Sequence, residues 1–245
     1  MTGEPTLHLV DQVTAILDGA PWPWAAAHRA AIEAHWAKLT AANPALYNGE
    51  VLICRERRLG GGRLDVRYAR TDYAAFLTFR DLGFPDPASG NCFGMAALRG
   101  ADGAFLLGVM GDHTANPGRI YFPAGTPEPA DTLPDGRVDL LGNVLRELNE
   151  ETGLTAEEVQ VCPGWAVVVE GGRTALMREI RTSLPAEAVR ARIVAFLAAQ
   201  AQPELVDIRI VREPAQAEQD AVPRFVQCYL HHVFGQAGKQ SAAAG

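Results

Sequence analysis

The spacing of apolar side chains predicts an amphipathic helix near the middle of the chain, over residues 140 to 151. One face is apolar because aliphatic residues recur at intervals of three and four. These residues are Leu141, Val144, Leu145 and Leu148. The opposite face carries three carboxylates at positions i, i+3 and i+4, contributed by Glu147, Glu150 and Glu151. Gly153 stands just beyond the helix, where a left-handed C-cap belongs.

The pattern also predicts strands and helices on both sides of this helix. Before it we expect a strand within 7–17, a helix over 25–42, hairpin strands 51–57 and 63–69, a helix over 73–81, hairpin strands 93–99 and 104–111, and a short strand over 119–122. After it we expect strands over 160–169, 174–183, 205–212 and 224–233, and a helix over 186–201. This order implies an α/β fold in which a mixed sheet lies between helices.

Composition and charge describe an ordinary soluble protein. The chain has 245 residues, 48% of them hydrophobic, and a net charge of -7, which disfavours a nucleic-acid-binding surface. Its four cysteines form no CxxC pair and indicate reduced thiols rather than a zinc site or disulfides. No apolar run approaches ~18 residues and the N-terminus lacks a signal pattern, so we expect a cytoplasmic protein with no membrane segment.

The three clustered carboxylates indicate a metal site. Like charges at this spacing repel one another, and a cation removes that repulsion. Hard oxygen ligands select Mg²⁺ or Mn²⁺, ions that also bind substrate phosphates. The alternative interpretation is a solvated acidic helix face.

The string around these carboxylates resembles a known motif. Residues 146 to 154 read R-E-U-x-E-E-x-G-U, where U is aliphatic, and this resembles the second half of the nudix box. In the first half, Thr132 and Val138 stand where the family has a glycine and a glutamate. Residues 122 to 129 nevertheless resemble the loop that opens the box, with Gly125 as its glycine, seven positions before Thr132. The intervening Pro/Gly/Asp-rich insert suits a surface excursion, and Asp139 is a candidate substitute for the vacant carboxylate.

The resemblance implies a fold, a division of the chain and a chemistry. It implies a nudix-type α/β/α sandwich over residues 90–234, preceded by an α+β extension over residues 1–89 packed on that core and followed by a disordered tail over 235–245. It implies a metal-dependent hydrolase that cleaves the diphosphate of a small nucleotide substrate, and it leaves a homodimer open. Glu147, Glu150 and Glu151 would bind the metal, Glu147 and Glu151 would be the main catalytic ligands, and Arg146 would orient a carboxylate. The general base would be Glu147 or a later carboxylate: Asp207, Glu213, Glu218 or Asp220.

Shorter segments resemble the nudix branch that splits UDP-glucose and UDP-galactose into UMP and a sugar 1-phosphate. They are residues 47–48, 79–81 and 125–129. By that resemblance Arg80 or Arg119 would clamp the diphosphate, and Tyr73, Phe79 or Tyr121 would stack on the uracil. The alternatives are an ADP-ribose, dinucleotide or coenzyme A diphosphatase and a catalytically lapsed nucleotide sensor. Val138 favours the sensor, whereas the retained carboxylates favour the enzyme.

Overall fold

The computed structural model describes the backbone of residues 3–243 and the side chains up to residue 236. The strands are β1 (Thr6–Val10), β2 (Gln12–Leu17), β3 (Glu50–Gly60), β4 (Arg63–Asp72), β5 (Asn91–Arg99), β6 (Phe105–Met110), β7 (Ile120–Tyr121), β8 (Ala124–Gly125), β9 (Val159–Val161), β10 (Trp165–Glu170), β11 (Arg173–Thr182) and β12 (Leu205–Val211). The α-helices are α1 (Pro23–Ala27), α2 (Arg29–Ala42), α3 (Tyr73–Asp81), α4 (Leu140–Thr152), α5 (Ala186–Ala198) and α6 (Arg224–Ala243).

Most of the strands form one large sheet. Within the described residues its order is β1-β10-β11-β5-β6-β12, with the short strands β7, β8 and β9 pairing with β6, β5 and β11. The β11–β5 pair is parallel and its neighbours are antiparallel, so the sheet is mixed. A smaller sheet, β2-β4-β3, belongs to the N-terminal extension.

Helices cover both faces of the large sheet. Val144 and Leu148 of α4 pack in the same core as Val189 and Ile193 of α5. The opposite core contains α6, through Phe225, Val226, Tyr229 and Leu230. β5 is buried almost throughout because its alternate side chains enter these two cores. The predicted α/β/α sandwich with a mixed sheet is therefore confirmed.

The N-terminal extension packs on this sandwich. One face of its small sheet contributes Leu52, Leu64 and Tyr68 to the core beneath α4, and the Tyr68 hydroxyl donates a 2.7 Å hydrogen bond to the Cys92 carbonyl. Its helices cover a separate aromatic core that includes Trp22, Trp24 and Phe79.

Main-chain hydrogen bonds also join the extension to the loop that precedes α4. The Leu52 N–H donates to the Pro127 carbonyl at 2.7 Å. The Leu17 N–H donates to the Gly136 carbonyl at 2.9 Å, and the Val138 N–H donates to the Ala15 carbonyl at 2.9 Å. The predicted surface excursion is therefore fixed at both ends by the small sheet.

Several predicted elements differ from those observed. The strand predicted over 224–233 is wrong, because this segment opens α6. Its buried residues follow the helical spacing i, i+1, i+4 and i+5, and they are Phe225, Val226, Tyr229 and Leu230. α6 runs to Ala243, through most of the predicted disordered tail, whose last two residues lie outside the described part.

The N-terminal segments are divided more finely than predicted. The helix expected over 25–42 is two helices, α1 and α2, which meet at His28. The strand expected within 7–17 is two strands in different sheets, β1 and β2, separated at Asp11. No helix in the described part of the chain is long and apolar enough to cross a bilayer.

Candidate active site

The helix α4 is fixed at both ends by its own sequence. The Asp139 carboxylate caps its start by accepting a 2.9 Å hydrogen bond from the Gly142 N–H. Gly153 ends it in the left-handed conformation, with φ of 70°, as the sequence predicts. Asp139 therefore serves as a helix cap, and no hydrogen bond or ion pair joins it to Arg146 in the described residues.

Glu147 and Glu151 lie against β8, the short strand before the insert. Glu151 Oε1 accepts a hydrogen bond from the Ala124 N–H at 3.2 Å, whereas Glu151 Oε2 is buried and has no hydrogen-bond partner among the described residues. Gly125 faces Glu147 so closely that a Cβ there would overlap its carboxyl group, with the farther oxygen, Oε2, at 2.7 Å. A side chain at position 125 would therefore displace the Glu147 carboxyl group, which gives a physical reason for a glycine here.

Both carboxyl groups are held where ionisation is unfavourable. Burial raises the pKa of Glu147 to about 7. The positive charge of Arg146 opposes this rise, and the negative charges of Glu150 and Glu204 add to it. Burial raises the pKa of Glu151 well above its usual range, and the charges of Glu147 and Glu204 add to the effect. A cation beside these oxygens would remove the cost of ionising them.

Arg146 is surrounded by carboxylates. It contacts Glu147 Oε1 at 2.9 Å, Glu150 Oε2 at 3.0 Å and Asp131 Oδ2 at 3.2 Å. Glu150 is half exposed and turned toward Arg146, so the structure separates it from the buried pair. The predicted role of Arg146 in orienting a carboxylate fits its contact with Glu147.

Asp131 is the carboxylate that the sequence analysis missed. Its side chain is 7% exposed, and it accepts hydrogen bonds from Asn143 Nδ2 at 3.0 Å and from the Glu128 N–H at 2.9 Å. It lies in the insert, one residue before Thr132. The arginine therefore has a buried acidic partner even though Val138 occupies the expected position.

The chemistry of the donor set fits a magnesium ion. Among the described residues no three His, Cys, Asp or Glu side chains converge as a ready-made metal site. Mg²⁺ nevertheless commonly uses only one or two protein carboxylates and completes its octahedron with water and substrate phosphate oxygens. Glu147 and Glu151 supply such a pair, and the unpartnered Glu151 Oε2 is a free oxygen donor.

Two cavities meet at the segment 124–126. One, of about 900 Å³, is lined by Glu147, Glu204, Tyr73 and Tyr47, and we call it the acidic cavity. The other, of about 630 Å³, is lined by four arginines, and we call it the arginine cavity. The arginines are Arg80, Arg119, Arg173 and Arg224. Tyr121 lines both cavities.

The predicted substrate-binding residues all line a cavity except Phe79, which is buried. Arg80, Arg119 and Tyr121 line the arginine cavity, and Tyr73 lines the acidic cavity. Phe79 is fully buried, with its ring 4.9 Å from Trp22 and 4.8 Å from Trp24 between centroids. The prediction that Phe79 stacks on a base is wrong, because its ring has no open face.

None of the later carboxylates proposed as general bases lines the acidic cavity with Glu147. Asp207 pairs with Arg190 at 2.7 Å, Glu218 pairs with His231 at 3.1 Å, Asp220 lines the arginine cavity, and Glu213 precedes a 3₁₀ turn. Glu204, which the sequence analysis did not single out, lines the acidic cavity with Glu147. It lies just before β12 in an exposed loop, so only the tertiary fold identifies it.

Comparison with known proteins gives limited likenesses. No protein-family model matches the chain, and no curated protein matches it at a significant level. Among solved structures it is similar to a Nudix hydrolase from M. smegmatis, RenU, with a TM-score of 0.40 and 16% identity over 61% of this chain and 86% of that one. It is also similar to a MutT protein from Methanosarcina mazei Go1, with a TM-score of 0.39 and 17% identity over 60% of this chain and 94% of that one. Likenesses at this level do not assign the chain to a family or an activity.

Proposed function

We propose that this chain is a metal-dependent hydrolase of the nudix type, which cleaves the diphosphate of a nucleoside diphosphate linked to another group. The observation that carries the proposal is the buried pair Glu147 and Glu151, which lies against β8. The acidic cavity and the arginine cavity meet at this strand, and Glu151 Oε2 has no hydrogen-bond partner among the described residues. A diphosphate placed there would have oxygen ligands for a cation on one side and guanidinium groups on the other.

The residues have separate tasks in this reaction. Glu147 and Glu151 would hold Mg²⁺, or Mn²⁺ in its place, and a bound ion would neutralise phosphate charge and acidify the attacking water. Arg146, held by Asp131, keeps the Glu147 carboxylate in position. Glu204 lines the acidic cavity with Glu147 and is our candidate to accept the proton of the attacking water.

We further propose that the substrate is a UDP-sugar, split into UMP and a sugar 1-phosphate. The resemblance of residues 47–48, 79–81 and 125–129 to that branch motivates this choice. Arg80 and Arg119 line the arginine cavity and are the groups we expect to hold phosphate oxygens. Of the residues expected to stack on the base, Tyr121 lines both cavities and is our candidate.

A substrate panel tests both levels of the proposal. Release of phosphomonoesters is measured with magnesium for UDP-glucose, UDP-galactose, ADP-ribose, a dinucleotide and coenzyme A. Turnover of at least one compound should fall by more than about 100-fold in Glu151→Gln, whereas Glu157→Gln, an exposed glutamate beyond the helix, should retain it.

The outcomes separate the alternatives. Equal turnover by wild type and Glu151→Gln would exclude this metal site. Binding of a nucleotide without turnover of any compound would favour the sensor. Preference for ADP-ribose, a dinucleotide or coenzyme A would leave the reaction class standing and remove the UDP-sugar.

A further inference from the structure

The arginine cavity contains a guanidinium that has no hydrogen-bond or ion-pair partner among the described residues. Arg173, the first residue of β11, lines this cavity, and its guanidinium carbon lies over the Phe84 ring at 5.0 Å from the centroid. Among the described residues it makes no hydrogen bond and no carboxylate reaches it as an ion pair; only longer-range charges act on it. Its hydrogen-bond donors are therefore available to a ligand.

The other three arginines of the cavity are already engaged. Each makes a short contact with an oxygen of the protein. These contacts are Arg80 Nε to Asp81 at 2.8 Å, Arg119 to the Asp220 carbonyl at 2.6 Å, and Arg224 to Glu4 at 2.6 Å. Arg173 is thus distinct among the guanidinium groups that line this cavity.

Arg173 has no ion-pair partner among the described residues, whereas Arg80 and Arg224 are paired with Asp81 and Glu4. Two carboxylates, Glu170 and Asp220, line the cavity without reaching Arg173 as an ion pair. Burial lowers the pKa of Arg173. The negative charge of Glu170 opposes this decrease, and the positive charges of Arg80 and Arg119 add to the decrease. An enclosed cation without a partner costs free energy that an anionic ligand would recover.

Phe84 holds Arg173 at the cavity, and its own backbone is strained. With φ of 58°, it is the non-glycine residue in the left-handed region among the described residues. Such a conformation persists where the surroundings fix it, and such residues cluster at ligand sites. The Phe84 ring packs edge-on against the buried Phe79 ring, with centroids 5.5 Å apart. The aromatic core of the extension therefore supports the ring on which Arg173 lies.

We propose that Arg173 binds a phosphate group in the arginine cavity and that Phe84 is its positioning residue. The planar guanidinium matches two phosphate oxygens at once while its face stays on the aromatic ring. The inference rests on the proposed function only for the source of the phosphate, which would then be the nucleotide substrate. Binding itself needs no metal, because neither Glu147 nor Glu151 lines this cavity.

Calorimetric titration of inorganic phosphate into protein freed of divalent ions tests the site. Wild type should bind, and Arg173→Met, which keeps an apolar stem and removes the charge, should weaken binding by about tenfold or more. Arg173→Lys should retain part of the affinity. Arg209→Met removes an exposed arginine of β12 and is the matched control, with affinity unchanged. Phe84→Leu should weaken binding by about threefold.

Two results would overturn the assignment: phosphate binding by Arg173→Met equal to wild type, or an equal loss in Arg209→Met. Thermal unfolding of each variant identifies a folding defect. If Arg173→Met does not fold, Arg173→Lys and Phe84→Leu take its place, and a phosphate affinity equal to wild type in both would exclude the site. Glu151→Gln separates this inference from the proposed function, because it should abolish turnover and leave phosphate binding intact. Phosphate binding through Arg173 in a protein that hydrolyses nothing would refute the proposed function alone.

Discussion

Replacing Gly125 by alanine should abolish most of the proposed hydrolase activity while leaving the fold intact. Ordinary contacts of a Cβ atom begin at 3.4 Å, whereas the farther Glu147 oxygen would lie at 2.7 Å and the other nearer still. The carboxylate must therefore withdraw by about an ångström, and a misplacement of that size can cost about 100-fold in rate. The fold should tolerate the change, because the obstructing atoms are the end of a flexible side chain.

The assay is kcat for the best substrate of the panel with saturating magnesium, together with the thermal unfolding midpoint. Gly125→Ala should lower kcat by about 100-fold and shift the midpoint by only a few degrees, as roughly 1 kcal/mol would. Gly60→Ala is the matched control, since a Cβ there meets nothing within 4 Å. A kcat for Gly125→Ala within about twofold of wild type, well short of the expected loss, would refute the placement of Glu147.

A double variant tests whether the loss of activity in Gly125→Ala arises from the contact with Glu147. Glu147→Asp shortens the side chain and leaves room for the added methyl group. The double variant Gly125→Ala with Glu147→Asp should lose less activity than the product of the two single losses, because the residues are coupled through one contact. Strict additivity would locate the effect of Gly125→Ala elsewhere.

Four further predictions follow from the same structure. Burial raises the pKa of Glu147 from 4.5 to about 7, so in metal-free protein the contribution of this side chain to the free energy of unfolding should be greatest below about pH 4 and should fall by up to roughly 3 kcal/mol as the pH rises through 7. The difference in urea-unfolding free energy between wild type and Glu147→Gln should change with pH by this amount. Asp131→Asn should weaken the hold on Arg146 and reduce kcat or magnesium affinity by about 10- to 100-fold, and an unchanged magnesium titration would contradict it. Phe79→Ala should cost about 3 to 5 kcal/mol of stability, whereas Arg80→Ala should raise KM for UDP-glucose; an unaltered KM in Arg80→Ala would remove that residue from the site.

The parts that the sequence predicted well are those governed by local rules. α4 carries its cap at Asp139, its apolar stripe and its terminal glycine within a few residues of one another, so periodicity alone locates it. The capped helix at Tyr73 and the hairpin of β3 and β4 follow from equally local signals. The sandwich architecture follows from the order of such elements.

The parts that the sequence missed depend on long-range packing. α6 contains Phe225, Val226 and Tyr229, residues common in strands, although their spacing with Leu230 is that of a helix face packed on the sheet. Glu204 reaches the acidic cavity from a segment more than fifty residues after Glu147, and nothing in its neighbours marks it. Phe79 precedes a cavity-lining arginine, yet it turns the other way into an aromatic core.

Main-chain hydrogen bonds join the small sheet to the loop over residues 127–138, so a fragment without the small sheet would lose them. A gene fragment beginning at residue 90 would encode the whole acidic motif, yet it would lack the backbone groups of Ala15, Leu17 and Leu52 that fix the loop carrying Asp131. It would also lack Arg80 and Phe84. In the function proposed above, the first eighty-nine residues fix the loop beside the site and supply Arg80 to the arginine cavity, so they are more than an accessory module.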